Sequence, residues 1–302
     1  MARQPVSHIQ STLMSFLRCK FLTAPYVFLL AAHPCLAQQT PTDQSLALTN
    51  DSLVAEGSSE RADNKIFFSS KRKTWLEVWG FHNAQGHDSA TNTIQPRFYH
   101  SFALGSSGAQ AISRLDTSFN SNSGPNYANS GGGGEFNPGN TRWTLAAFTP
   151  ELAQDLTFGS GFRIVMPTGY NNPLYSSAQW AIGPQAAMTY APKNAGAFTF
   201  FSPLVRYMMG TTAVASNTTL MRTLEIYPTL GFQLTPKLKL AMWDETGITQ
   251  NQRNGNWFLP IDAMLTYSFD NYWGASVGSS APLINNNFSY FWNAYGRVIY
   301  TF

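Results

Sequence analysis

The sequence predicts an all-β chain, a transmembrane antiparallel up-and-down β-barrel of about 12 strands. Three observations carry that class. An apolar segment near the N-terminus has the layout of an export signal, the chain after it is poor in charge and rich in aromatics, and its alternating segments are joined by connections that sort into long and short.

Residues 1–37 combine Arg3, Arg18 and Lys20 with the apolar run "FLTAPYVFLLAA" at 21–32 and small residues ahead of Gln38, which reads as a cleaved secretory signal. Met14 would open a tidier signal than Met1. The run falls short of the roughly 18–20 apolar residues of a spanning helix, and a retained anchor is the competing reading. Both cysteines, Cys19 and Cys35, leave with the signal, and with them any disulfide or thiolate metal site. Three of the 19 basic residues and none of the 16 acidic ones lie there, so the remainder balances at net zero and gives no electrostatic ground for a nucleic-acid partner. Charged residues make up 12% of the chain, against roughly 25% in soluble domains, and aromatics 14%. With no later long apolar run, this fits a secreted β-sandwich or a membrane barrel.

Residues 38–73 are polar and aperiodic. They read as a flexible periplasmic leader, a small plug being the alternative, and leave 74–302 for the barrel. Alternation with period two then marks twelve strands: 75–82, 93–104, 110–120, 141–148, 156–166, 180–190, 197–208, 221–234, 237–245, 257–269, 274–280 and 290–302. The odd connections are long and the even ones shorter, with turn chemistry in "GSSG", "APKNAG", "TP" and "DNYW". A barrel whose ends both lie in the periplasm sorts its loops this way, whereas a Greek-key sandwich has no reason to. Pro96, Pro184, Pro203, Pro228 and Pro260 count against unbroken strands, since each deletes a ladder donor; they mark either bulges or strands drawn too long.

The aromatics set the register. Trp180, Trp257 and Trp292 are followed ten residues later, on the same face, by Tyr190, Tyr267 and Phe302. Ten residues at about 3.3 Å, tilted by about 40°, project to roughly 25 Å, the height of an apolar band between two aromatic girdles. The closing "NAYGRVIYTF" follows the same rule, with Phe302 as an interfacial anchor that resembles the C-terminal aromatic signal read by outer-membrane assembly machinery.

Parity then turns Arg97, Arg163, Arg206, Glu225, Lys239, Glu245, Asp262 and Arg297 into the lumen, because Arg or Lys facing lipid at mid-membrane costs about 2–4 kcal/mol. Arg114 and Asp116 share a face, with Arg142 nearby. Arg97, Arg163, Arg206, Glu225, Asp262 and Arg297 are the selectivity candidates. Two roles stay open for them: a transverse field that sorts solutes, or mutual neutralisation in a filled interior.

Catalysis finds little support. The only histidines beyond the signal are His82, His87 and His100. His100 and Ser101 resemble a dyad in text, yet strand neighbours point to opposite faces. His82 and His87 belong at or in the first outer loop. The "GGGG" at 131–134 has no following helix or Lys-Ser/Thr pair and reads as loop. Neither a metal site nor a cofactor is expected.

The stretches "TIQPRFYHSF", "GSGFRIVMPTG", "GPQAAMTYAPK", "FSPLVRYMMG" and "LEIYPTLGFQLTPKLKLAMWDE" resemble the bacterial outer-membrane transporter group related to phenol-degradation proteins of the MetA type. That resemblance implies a Gram-negative outer-membrane barrel passing small molecules, with aromatic or hydrophobic compounds among its solutes; no ligand residues carry over from it. The expected partners are outer-membrane lipid, a small-molecule solute and the assembly machinery. A lipid-modifying or lipolytic barrel enzyme and a closed structural or adhesive barrel are the alternatives.

Overall fold

The computed structural model describes residues 74–86, 89–106, 108–123, 135–150, 155–169, 177–193, 195–214, 218–286 and 290–302. The expected signal, the leader, His87 and the glycine run at 131–134 lie outside them. Thirteen strands follow in chain order: β1 (Thr74–Gly86), β2 (Ser89–Leu104), β3 (Ala109–Ser123), β4 (Asn137–Phe148), β5 (Leu156–Met166), β6 (Gln179–Tyr190), β7 (Phe198–Ala213), β8 (Arg222–Gln233), β9 (Leu238–Met242), β10 (Ile248–Asn251), β11 (Trp257–Ser268), β12 (Trp273–Asn285) and β13 (Trp292–Thr301). β9 and β10 both lie between β8 and β11 and are two halves of one stave. Every pairing is antiparallel, and β13 pairs with β1 from Trp75↔Thr301 to Ala84↔Trp292. The result is a closed up-and-down barrel of twelve staves with no free edge.

The two faces of each strand are inverted relative to a protein folded in water. Along β2, Gln95, Arg97, Tyr99 and Ser101 are buried, while Phe98, His100 and Phe102 are exposed. Leu115, Ile182, Val205, Leu265 and Val277 likewise stand on the outer surface, and Asp116, Arg206, Thr229 and Asp262 stand inside it at 2% exposure or less. Leaving a large aliphatic or aromatic side chain in water forgoes about 1.5–3 kcal/mol each, so this outer face requires hydrocarbon around it. No helix among the described residues is long and apolar enough to cross a membrane; the strands make the crossing.

Aromatics border the apolar face at both rims. Trp180, Trp257 and Trp292 are exposed at the distal rim, and Tyr190, Tyr267 and Phe302 at the rim that carries Thr74. Trp273 and Tyr272 join the latter belt, where Trp273 packs against Tyr300 at 4.7 Å and Tyr267 against Phe269 at 5.2 Å.

The strands differ from their expected bounds mainly at the distal rim. The long first connection shrinks to residues 87 and 88, and His82 lies within β1 beside Trp292, with ring centroids 5.1 Å apart. β3, β4, β7 and β12 are extended in the same direction. There the ladder is supported by polar pairs: His82 Nδ1 with Asn92 Oδ1 at 2.7 Å, and Thr91 and Thr93 donating to Asn122 and Asn120 at 2.7 and 2.8 Å. Strands that leave the apolar band no longer need a greasy face, so hydrophobic alternation stops before the hydrogen bonding does.

The prolines do not end their strands. Pro203 is opposite Pro228 and Pro260 opposite Pro282, which concentrates missing donors at shared ladder positions, with a register shift at Leu259/Pro260.

Candidate lumen site

The expected ninth strand, 237–245, stops short, and its stave continues in β10, within the stretch expected as a loop. Extended structure ends at Met242 and resumes at Ile248, and residues 243–247 turn inward. Trp243 has a φ of 52°, a left-handed conformation unusual for a bulky side chain, and is fixed there from three sides. Its N–H donates to Asp262 O at 3.2 Å, its indole Nε1 to Pro260 O at 2.8 Å, and its carbonyl accepts from Thr229 Oγ1 at 2.6 Å. Gly247 allows the turn to close: a Cβ there would stand 2.8 Å from the Tyr227 ring and 2.9 Å from Ile226 O.

The turn projects Glu245 across the lumen. Its two carboxylate oxygens accept from Arg97 Nη1 and Nη2 on β2 at 2.8 and 2.5 Å. β2 lies almost opposite the interrupted stave in the circular strand order, so this pair is a strut across the barrel. Gln95 Oε1 accepts from the same guanidinium at 3.0 and 2.6 Å.

Further ion pairs occupy the wall. Arg297 Nη1 donates to Glu77 at 3.2 Å, Arg206 Nη1 to Glu225 at 2.7 Å, and Arg114 to both oxygens of Asp116 at 2.9 and 2.8 Å. Trp79 lies between two cations, with Arg97 4.2 Å and Arg297 4.8 Å from its ring centroid, while its Nε1 donates to Glu77 at 2.7 Å. The ring's negative faces offset part of the cost of placing two guanidinium groups in the interior.

Two cavities flank the strut. One of about 450 Å³ is lined by Arg142, Arg163, Arg206, Glu225 and Glu245 together with Met208 and Met221. The other, about 270 Å³, is bounded by Asn83, Thr93, Gln95, Asn120 and Asn293 toward the distal rim. Asn140, Arg142 and Glu245 line both, so the two meet beside the strut.

Of the residues singled out in the sequence, Arg97, Arg163, Arg206, Glu225 and Arg297 all line the larger cavity. Asp262 lines neither and is fully buried. Its carboxylate accepts from the N–H groups of Glu245 and Thr246, both at 3.3 Å, and from Tyr295 OH at 2.7 Å. It brackets the inward turn. Glu245 is in that turn, not in a strand. Arg142, placed in the sequence only as a neighbour of Arg114 and Asp116, lies where the cavities meet; its parity with Thr144 and Ala146 on β4 was the available signal.

His100 and Ser101 stand on opposite faces: the histidine is exposed, with Nδ1 3.0 Å from Thr74 Oγ1, and the serine is buried. No group of three or more His, Cys, Asp or Glu among the described residues is arranged to hold a metal ion.

A closed barrel with an apolar exterior, aromatic belts and a charged, partly occupied lumen defines the class of bacterial outer-membrane β-barrels. A solved structure agrees at the level of fold. The chain is similar to an outer membrane channel from Pseudomonas putida F1, with a TM-score of 0.58, 14% identity, and coverage of 78% of this chain and 97% of that one. It is more distantly similar to outer membrane phospholipase A from Escherichia coli, with a TM-score of 0.43, 12% identity, and coverage of 82% and 98%. No protein-family model and no curated protein matches the chain.

Proposed function

We propose that this chain is an outer-membrane channel of a Gram-negative bacterium, passing small molecules that include aromatic or hydrophobic compounds. It is exported through residues 1–37, carries 38–73 as a periplasmic leader, and is inserted into outer-membrane lipid by the assembly machinery. The observation that carries this reading is the pair of lumen cavities meeting at Arg142 and Glu245, since space continues on both sides of the Arg97–Glu245 strut. The fold shared with a solved outer membrane channel and the resemblance to MetA-type transporters support it. Arg97, Arg163, Arg206, Glu225 and Arg297 set its selectivity, and no catalytic step is assigned to it.

The test is reconstitution. Refolded protein with a heat-dependent shift on gels is expected to give discrete conductance in planar bilayers and to admit small solutes into liposomes. A folded barrel that does neither overturns the channel. It would favour instead a closed structural barrel, the reading that the four interior ion pairs support.

A further inference from the structure

The lumen arginines are not equally compensated. Arg97, Arg114, Arg206 and Arg297 each have a carboxylate within hydrogen-bonding distance. Arg163 donates only through Nε, to Thr144 Oγ1 at 3.0 Å, and its two terminal nitrogens meet no acceptor among the described residues. Arg142 has neither a hydrogen bond nor an ion pair among the described residues, and its register partner Asp116 is engaged in both oxygens by Arg114. Both arginines without a carboxylate partner among the described residues belong to the β4–β5 wall. Arg142 is opposite Val165 and Arg163 opposite Thr144, which makes the two arginines diagonal neighbours on one face. Both line the larger cavity, whose wall carries six arginines and four carboxylates.

The surface beside them is apolar. Val165, two residues along β5 from Arg163, packs with Ala181 and Met208, and Met221 closes on the same cluster. Val165, Met208 and Met221 line the cavity as well. A wall with two cations that have no directly paired carboxylate among the described residues, next to a methionine-rich patch, suits a ligand with an anionic end and an apolar body. Guanidinium groups receive carboxylates through paired, charge-assisted hydrogen bonds, and thioether side chains adapt to flat or irregular apolar shapes.

We propose that Arg142 and Arg163 form a binding site for small organic carboxylates, the anionic group between the two guanidinium groups and the apolar body against Val165, Met208 and Met221. The site gives the proposed channel a solute class and to that extent rests on it. Its test does not, because binding and conduction are read separately.

Titration calorimetry on the detergent-solubilised, heat-shifting barrel, with benzoate, benzyl alcohol and acetate as probes, reads the site. Benzoate is expected to bind, with benzyl alcohol and acetate each at least about tenfold weaker, since the first lacks the charge and the second the apolar body. Arg163→Gln and Arg142→Gln are expected to weaken benzoate at least about tenfold, and Arg163→Lys and Arg142→Lys to weaken it less, since lysine keeps the charge and loses the paired hydrogen bonds. Equal binding of benzyl alcohol and benzoate, equal binding of acetate and benzoate, or unchanged affinity in both glutamine variants would overturn the assignment. If a glutamine variant does not fold, Met208→Gln tests the apolar half, and unchanged benzoate affinity there also overturns it. Conductance without benzoate binding removes the site and leaves the channel. Benzoate binding without conductance removes the channel and leaves a ligand-binding barrel.

Discussion

Glu245 reaches Arg97 across the lumen, two oxygens to two guanidinium nitrogens at 2.8 and 2.5 Å, although 148 residues separate them in the chain. The pair spans the lumen beside the point where the two cavities meet. Replacing Glu245 by Gln keeps the shape and removes the negative charge. Arg97 then faces the path beside Gln95 and the rings of Trp79 and Phe81. The expected result is a shift of the reversal potential toward anion preference in a salt gradient, with conductance raised or unchanged. A shift toward cations would contradict the placement of this pair in the path.

The inward turn has a steric requirement at Gly247. A methyl group there would meet the Tyr227 ring and the Ile226 carbonyl oxygen at under 3.0 Å, so Gly247→Ala must displace the turn or the neighbouring stave. Overpacking of this kind costs about 1–3 kcal/mol. A lower urea midpoint together with altered conductance is the expected pair of observations. An unchanged midpoint and conductance would mean that the turn is not held as tightly as its contacts indicate.

Much of the barrel was legible because the membrane enforces it. Within the apolar band every outward position must be greasy, so Trp180 to Tyr190 and Trp257 to Tyr267 appear as strands bounded by aromatics. Outside the band the rule lapses: Asn83, Thr91 and Asn92 extend the first hairpin with polar side chains on both faces, and text of that kind reads as loop. The break at 243–247 was hidden for a different reason. Met242, Trp243 and Glu245 continue a plausible alternation, and only Gly247 interrupts it. Which charge meets which was not legible at all, because spacing along a strand fixes the face and not the partner across the lumen. Asp262 shows the difference: its inward direction follows from parity, its role as a bracket only from the turn folded onto it.

That role separates shape from charge at Asp262. Alanine there takes the acceptor from the N–H groups of Glu245 and Thr246 and leaves the hydroxyl of Tyr295 only its longer contact to Ala263 O at 3.4 Å, at about 1–3 kcal/mol for each donor that stays buried and unpaired. Asparagine still offers an oxygen. Asp262→Ala is therefore expected to lower the unfolding midpoint and to change conductance, while Asp262→Asn retains most of both. A selectivity change of equal size in the two variants would instead show Asp262 acting on solutes through its charge.

Phe302 separates assembly from conduction. Its N–H donates to Thr74 O at 3.1 Å beside the β1–β13 seam, and the residue is 66% exposed, its ring edge-on to Tyr300 at 5.0 Å. The lumen residue of that stretch, Arg297, points the other way and is held by Glu77 and Ser276. Phe302→Ser preserves the backbone bond and removes only the outward ring, which has nothing to contribute to the lumen. The heat-shifting fraction after membrane insertion is expected to fall severalfold, while each channel that does fold conducts as wild type. The reasoning is that an interfacial aromatic acts while the barrel is entering the bilayer and closing its seam. Normal folded yield would remove Phe302 from assembly, and altered single-channel conductance would show that the seam transmits to the lumen.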